Sequence, residues 1–249
     1  MNAHLPFYLA CPKLMTIALT VFLGPLAAHD LQNPAGVNPR EQENPILKAL
    51  VPIEDVPGLP RVLLIGDSIS MGYTLPVREL LEGKANVQHP PENCENTALG
   101  LKQLDSWLGT KKWDVIHFNF GLHDLKHQDE QGKNVSPNKG KPVASLPVYE
   151  KNLRELVERL KLTGAKLIWC STTPVPEGTN TRIKGSEADY NRVAEKVMND
   201  NGIPIDDLHA YATAHQADIQ LPKNVHFTDE GSRQLARLVA ASILQQLAK

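Results

Sequence analysis

The sequence predicts an α/β chain, a three-layer α/β/α sandwich of flavodoxin-like type around a five-stranded parallel sheet. Three observations carry this expectation. From Arg61 onward, short apolar runs alternate with stretches of helical periodicity. The runs are apolar at consecutive positions, so both strand faces are covered, as in parallel sheets with helices on either side. Polar, chemistry-bearing residues gather where the runs end, at the edge where open α/β sheets place their ligand crevice.

In chain order, the first strand is Val62–Ile65, ended by Gly66-Asp67-Ser68. A helix over Pro76–Glu82 and a weaker strand over Ala85–His89 follow. A helix over Leu99–Leu108 leads to the strand Val115–Phe120, ended by Gly121-Leu122-His123-Asp124. Leu125 to Leu146 is long and polar, with Gly132, Pro137, Gly140 and Pro142; such loops are often functional, and a rim or lid over the crevice is expected. The clearest helix is Tyr149–Leu162, with Tyr149, Leu153, Leu156, Val157 and Leu160 on one face and Gly164 as its stop. Then come the strand Lys166–Cys170, ended by Ser171-Thr172-Thr173, a helix over Glu187–Asn199 and a weak strand over Ile203–Ile205. The last helix, Asp229–Leu247, repeats the apolar stripe with Leu235, Val239, Ile243 and Leu247.

What precedes Arg61 differs. Lys13 is the only Lys, Arg, Asp or Glu in residues 1–28, and the apolar run Leu14–Leu26 with Ala27 and Ala28 after it reads as a signal peptide. The run is shorter than the roughly 20 apolar residues of a membrane span. A retained anchor is the alternative; after cleavage no stable membrane association is expected, and the chain would be secreted or periplasmic. Residues 29–60 read as an irregular proline-rich lead-in, with one helical turn near Ile46–Leu50, and 61–249 as the functional domain. Cleavage would leave Cys94 and Cys170, whose spacing does not decide whether they pair; Cys170, inside an apolar run, suits a buried thiol.

The chain has 26 Lys and Arg against 28 Asp and Glu, with no basic stripe along a helix, which argues against a nucleic-acid partner. Ser68, read alone, is more often a helix cap than a nucleophile. A serine nucleophile needs a base within hydrogen-bond reach and donors for the oxyanion. His226, in Asn224-Val225-His226-Phe227-Thr228, lies just before the last helix, from where it can reach over the carboxyl edge of the sheet. His117, inside an apolar run, reads instead as a satisfied interior residue. His123, Asp124 and His127 have a spacing that suggests metal, but they fall in a loop without further ligands, and no metal is expected. Asp67 in the first turn would repel the phosphate of a flavin, and no cofactor is expected.

Gly66-Asp67-Ser68, Gly121-Leu122-His123-Asp124 and Val225-His226-Phe227-Thr228, in this order after the expected strands, resemble the motifs of the SGNH/GDSL hydrolase superfamily over roughly 61–249. The resemblance implies ester hydrolysis through an acyl-enzyme, with Ser68 as nucleophile and His226 as base. It implies an oxyanion hole from the Ser68 N–H, a backbone donor near Glu95 (or Gly100) and His123. Asp67, Gly121 and Asp124 would be supporting residues, Asp124 tying its loop to the Gly-Asp-Ser turn. Three positions depart from the family pattern: His123 replaces the usual asparagine, Glu95 the usual glycine, and Lys223 the acid that usually orients the histidine. The expected function is a secreted serine esterase acting on a short-chain, acetyl-type ester of a carbohydrate or similar alcohol. A glycan-binding protein of the same fold without catalysis, or an acyltransferase, is the alternative. A carbonyl or carboxylate at His226 Nδ1 would favour the enzyme, and the Lys223 ammonium there would favour the binder.

Overall fold

The structure, a computed structural model, describes Met1 and residues 45–249, so the expected signal peptide and the first part of the lead-in lie outside the described residues. All elements below belong to the unit Val37–Lys249. They are α1 (Pro45–Ala49), β1 (Arg61–Ile65), α2 (Ser68–Leu80), β2 (Asn86–Gln88), α3 (Thr97–Leu108) and β3 (Val115–Phe118), then β4 (His127–Gln128), β5 (Lys141–Pro142), α4 (Leu146–Lys161) and β6 (Lys166–Cys170). The chain closes with α5 (Glu187–Asp200), β7 (Ile205–Asp206), α6 (Leu208–Ala214), α7 (Gln216–Ile219) and α8 (Asp229–Leu247).

The main sheet has five strands in the order β2-β1-β3-β6-β7, all parallel. α1, α2 and α8 pack together on one side, and α3, α4 and α5 on the other. This is the expected three-layer sandwich. The two layers bury the strand side chains almost completely, and Trp169, Tyr73, Tyr149, Phe118 and Phe120 are the largest of the buried residues. The chain steps outward from β1 to β2, then returns to β3 and proceeds the other way. The direction reverses between β1 and β3, which opens a crevice beyond their carboxyl ends. Gly66-Asp67-Ser68 and Gly121-Leu122-His123-Asp124 leave the sheet at this point.

Most expected elements are present, and the differences have local causes. The helix expected over Pro76–Glu82 is the second half of α2, which begins at Ser68 because Asp67 caps it, accepting the Ile69 N–H at 2.9 Å. Gly72 and Pro76 blur its periodicity in sequence. The stretch 125–146 is not structureless: His127–Gln128 pairs antiparallel with Lys141–Pro142, in strands too short to show any pattern. α6 and α7 were not expected either, being shorter than the window over which helical periodicity is legible.

The lead-in is tied to the edge of the sheet. Gln88 on β2 exchanges hydrogen bonds with the Ile53 backbone, and Asn86 does so with Val56. These cover an otherwise open strand edge. His117 is interior as expected, with Nε2 2.9 Å from Asp206 Oδ2, but its Nδ1 has no partner among the described residues. Cys94 and Cys170 are both buried free thiols. Among the described residues no helix is long and apolar enough to cross a membrane.

Candidate active site

Asp67, not Ser68, caps α2, which leaves the Ser68 side chain free at the crevice. Its Oγ lies 2.8 Å from His226 Nε2, across 158 residues of sequence. Ser68 opens the first turn of a 13-residue helix, where backbone N–H groups have no intrahelical acceptor and the helix dipole favours negative charge. The turn itself is tightly packed. A Cβ on Gly66 would meet Ser70 Cβ at 2.8 Å, and Ser70 Oγ bonds both Asp67 O and His89 Nε2.

His226 is held by the loop before α8. Thr228 caps that helix by accepting the Gly231 N–H at 3.0 Å. The residue that orients the imidazole is Asn224, which sequence reasoning missed. Its Oδ1 accepts the His226 backbone N–H at 3.1 Å and lies 2.7 Å from Nδ1. A backbone N–H can bond only to an acceptor, so the amide atom facing it is the oxygen. The same oxygen then requires that Nδ1 carry the ring proton. Nε2 is left with its lone pair toward the Ser68 hydroxyl, the tautomer a general base needs. Lys223, at the position of the usual acid, has positive φ (56°), and its stem lies against Gly178 instead of the ring. The legible signal was an asparagine two residues ahead of the histidine, a spacing at which Asn side chains bond forward to backbone N–H groups. Burial lowers the His226 pKa below its ordinary value, with Asp67 pulling it up and Arg182 adding to the lowering.

His123 lines the same cleft as Ser68 and His226. Its side chain makes no hydrogen bond among the described residues, and burial lowers its pKa, which favours the neutral ring. Glu95 has positive φ (47°), and its N–H is already donated to Asn93 Oδ1 at 3.0 Å. Gly100, the alternative, is inside α3, where a Cβ would meet the Phe120 ring at 2.8 Å; its glycine serves helix packing.

Asp124 is buried and bonds Thr97 at the start of α3, not the Gly-Asp-Ser turn. Its Oδ1 accepts from the Thr97 N–H at 3.0 Å and from the Thr97 hydroxyl at 2.6 Å. The start of α3 has exposed donors that a carboxylate satisfies, whereas Asp67 already caps the other turn. Burial pushes the Asp124 carboxyl up to about 7, against the Thr97 hydrogen bonds that lower it. Asp67 is buried as well, and its Oδ2 has no hydrogen-bond partner among the described residues. At Gly121 a Cβ would stand 2.1 Å from Thr172 Oγ1, so only glycine fits there. Asn119, also missed, ties the end of β3 to that of β6, donating from Nδ2 to Cys170 O at 2.6 Å. His127 does not join His123 and Asp124 in a ligand set: among the described residues no three His, Cys, Asp or Glu side chains are placed to hold a metal ion, and Asp124 is committed to Thr97.

Ser68, His226, His123, Asn93, Lys126 and Arg182 share a cleft of about 410 Å³, whose apolar lining is confined to Leu122 and Val225. A larger cleft, of about 640 Å³, lies at the β4–β5 hairpin and contains none of these residues.

Similar folds are known. An acetyl xylan esterase, AlAXEase, superposes with a TM-score of 0.61 at 18% identity, over 74% of this chain and 99% of that one. A lipase/acylhydrolase from Enterococcus faecalis gives 0.62 at 19% identity, over 74% and 95%. A mutant of an acetyl-xylooligosaccharide esterase from Geobacillus Stearmophilus gives 0.60 at 18% identity, over 76% and 96%. Among curated proteins no relative is found. The model of the GDSL-like lipase/acylhydrolase family matches residues 64–234, which include the Gly-Asp-Ser turn, the Gly-Leu-His-Asp loop and His226: the chain belongs to that family of ester hydrolases.

Proposed function

We propose that the protein is an exported serine esterase that removes a short acyl group, acetyl foremost, from a carbohydrate or similar alcohol. The observation that carries this reading is the chain Ser68 Oγ, His226 Nε2, His226 Nδ1, Asn224 Oδ1, with contacts of 2.8 and 2.7 Å. Ser68 Oγ attacks the ester carbonyl carbon while its proton passes to His226 Nε2. The tetrahedral oxyanion is met by the Ser68 N–H and by a donor from neutral His123. As the C–O bond to the alcohol breaks, His226 returns the proton to the leaving oxygen. Water, deprotonated by the same nitrogen, then attacks the acyl-serine; the acyl–Oγ bond breaks, His226 returns the proton to Ser68 Oγ and the carboxylic acid leaves. Asn224 holds the imidazole in the required tautomer throughout.

The lining of the cleft supports a short acyl group. With Leu122 and Val225 as its apolar residues, it offers little surface to a long chain, whose burial would have to drive binding. The polar remainder suits a hydrated alcohol, and two of the similar folds are esterases of acetylated xylan and xylooligosaccharides. The N-terminal apolar run supports export.

The test is hydrolysis of p-nitrophenyl acetate, butyrate and octanoate by the wild-type protein beside Ser68→Ala, followed by acetate release from acetylated xylooligosaccharides. Activity that falls with chain length and drops by at least about 10³-fold in the variant is expected. Octanoate preferred over acetate, or an unchanged Ser68→Ala rate, would overturn the reading.

A further inference from the structure

Lys126 and Arg182 are the two Lys or Arg side chains that line the Ser68 cleft. Arg61, Arg154, Arg159, Arg192 and Arg237 each close an ion pair with an acid. Lys126 and Arg182 are half-buried, line the cleft that contains Ser68 and His226, and form no ion pair among the described residues. Backbone and side-chain hydrogen bonds hold their two loops together. Arg182 Nε donates to Leu122 O at 2.7 Å, one residue from His123, and the His127 N–H, next to Lys126, holds Thr181 O at 2.8 Å. These bonds join two loops 54 or more residues apart in sequence and bring two like charges into one cleft.

That arrangement is unfavourable on its own. Burial and the Arg182 charge both lower the Lys126 pKa, and burial lowers that of Arg182. Two carboxylates act on the pair from a distance, Asp67 beneath it and Glu95 on the exposed rim, and neither comes within ion-pair reach. Arg182 spends Nε on Leu122 and has a long contact, 3.5 Å, from Nη1 to Thr181 Oγ1; Nη2 has no hydrogen-bond partner among the described residues. A guanidinium with free terminal donors beside an ammonium is the donor set that recognises a planar carboxylate.

We propose that Lys126 and Arg182 form a carboxylate subsite in the Ser68 cleft, so that the alcohol of the ester is an acidic one, a uronate-type sugar or a hydroxy acid. This rests on the esterase reading for what is cleaved, but not for what is bound. The carboxylate relieves the repulsion between the two cations and orients the ester over Ser68.

Two measurements separate the readings. The first compares kcat/KM for 4-acetoxybenzoate and its neutral counterpart 4-acetoxybenzamide, each corrected for its hydroxide-catalysed rate. The wild type is expected to favour the anionic ester about tenfold, by one charge-assisted hydrogen bond. That preference falls toward one in Lys126→Gln and in Arg182→Gln, and shrinks at 0.5 M NaCl as charges are screened. Lys126→Gln is the safer variant, because among the described residues the Lys126 side chain makes no hydrogen bond whose loss would disturb the loops. The second measurement titrates Ser68→Ala with trigalacturonate and with maltotriose by calorimetry. Binding of the acidic sugar alone, abolished by Lys126→Gln, supports the subsite even if neither ester is turned over, an outcome that would sink the esterase reading instead. Turnover of both esters with a ratio insensitive to the two substitutions, and no trigalacturonate binding, overturns the subsite and leaves the esterase standing.

Discussion

Asn224 Oδ1 accepts from both the backbone N–H and the ring Nδ1 of His226, at 3.1 and 2.7 Å. A neutral amide thus occupies the place of the acid usual in Ser-His-acid triads. It fixes the orientation of the ring and its tautomer but contributes no full negative charge to the imidazolium that forms during acyl transfer.

Removing that amide tests its part. Asn224→Ala should lower kcat by about 10²–10⁴-fold with little change in KM, the pattern of a group that positions the base. Steady-state kinetics on p-nitrophenyl acetate reads the split; a change confined to KM would contradict it.

The pH profile follows from the same pair. Only neutral His226 can accept the Ser68 proton, so activity rises with pH through the His226 pKa. Burial places that pKa below the ordinary 6.5, so the acid limb of kcat/KM should lie below pH 6.5. In Asn224→Asp the new carboxylate favours the imidazolium and should move the limb to higher pH, by about one unit. A limb that stays in place would mean that the aspartate does not reach Nδ1.

Asp124 makes a prediction about stability. Its folded pKa, about 7, exceeds the ordinary 3.8, so the folded protein holds this proton more tightly than the unfolded chain does. Stability from this group is full below the unfolded value and is lost as pH rises from about 4 through 7. Asp124→Asn keeps an acceptor for Thr97 and removes the titration. Urea midpoints measured from pH 4.5 to 7.5 should therefore fall less in the variant than in the wild type.

Gly121→Ala tests the packing of the Gly-Leu-His-Asp loop. The added Cβ would meet Thr172 Oγ1 at 2.1 Å, and Thr172 is itself tied to Phe120 O. A loss of about 1–3 kcal/mol in denaturant unfolding is expected, with reduced activity because the loop carries His123. Adding Thr172→Ser, which removes the Cγ2 but leaves the Oγ1 in place, should restore little of it; Thr172→Gly should restore more.

The sheet was legible in the sequence because parallel strands covered on both faces are read directly as apolar runs, and Val62–Ile65 and Lys166–Cys170 are such runs. Ile205–Asp206 shows the limit, since two residues at a sheet edge leave almost no pattern. The start of α2 was misplaced because a single side chain, Asp67, sets it.

By itself the sequence determined the α/β class, the family motifs and the candidates Ser68 and His226, because each depends on local pattern or on position at a strand end. The tertiary structure alone decided what completes the site. Asn224 faces the imidazole, Asp124 reaches Thr97 instead of the Gly-Asp-Ser turn, and the Glu95 N–H turns to Asn93. Lys126 and Arg182 meet because two loops far apart in sequence are hydrogen-bonded over the switch point of the sheet. Side-chain direction and loop path have no period in sequence; they are set by which donors and acceptors remain unsatisfied once the core has packed.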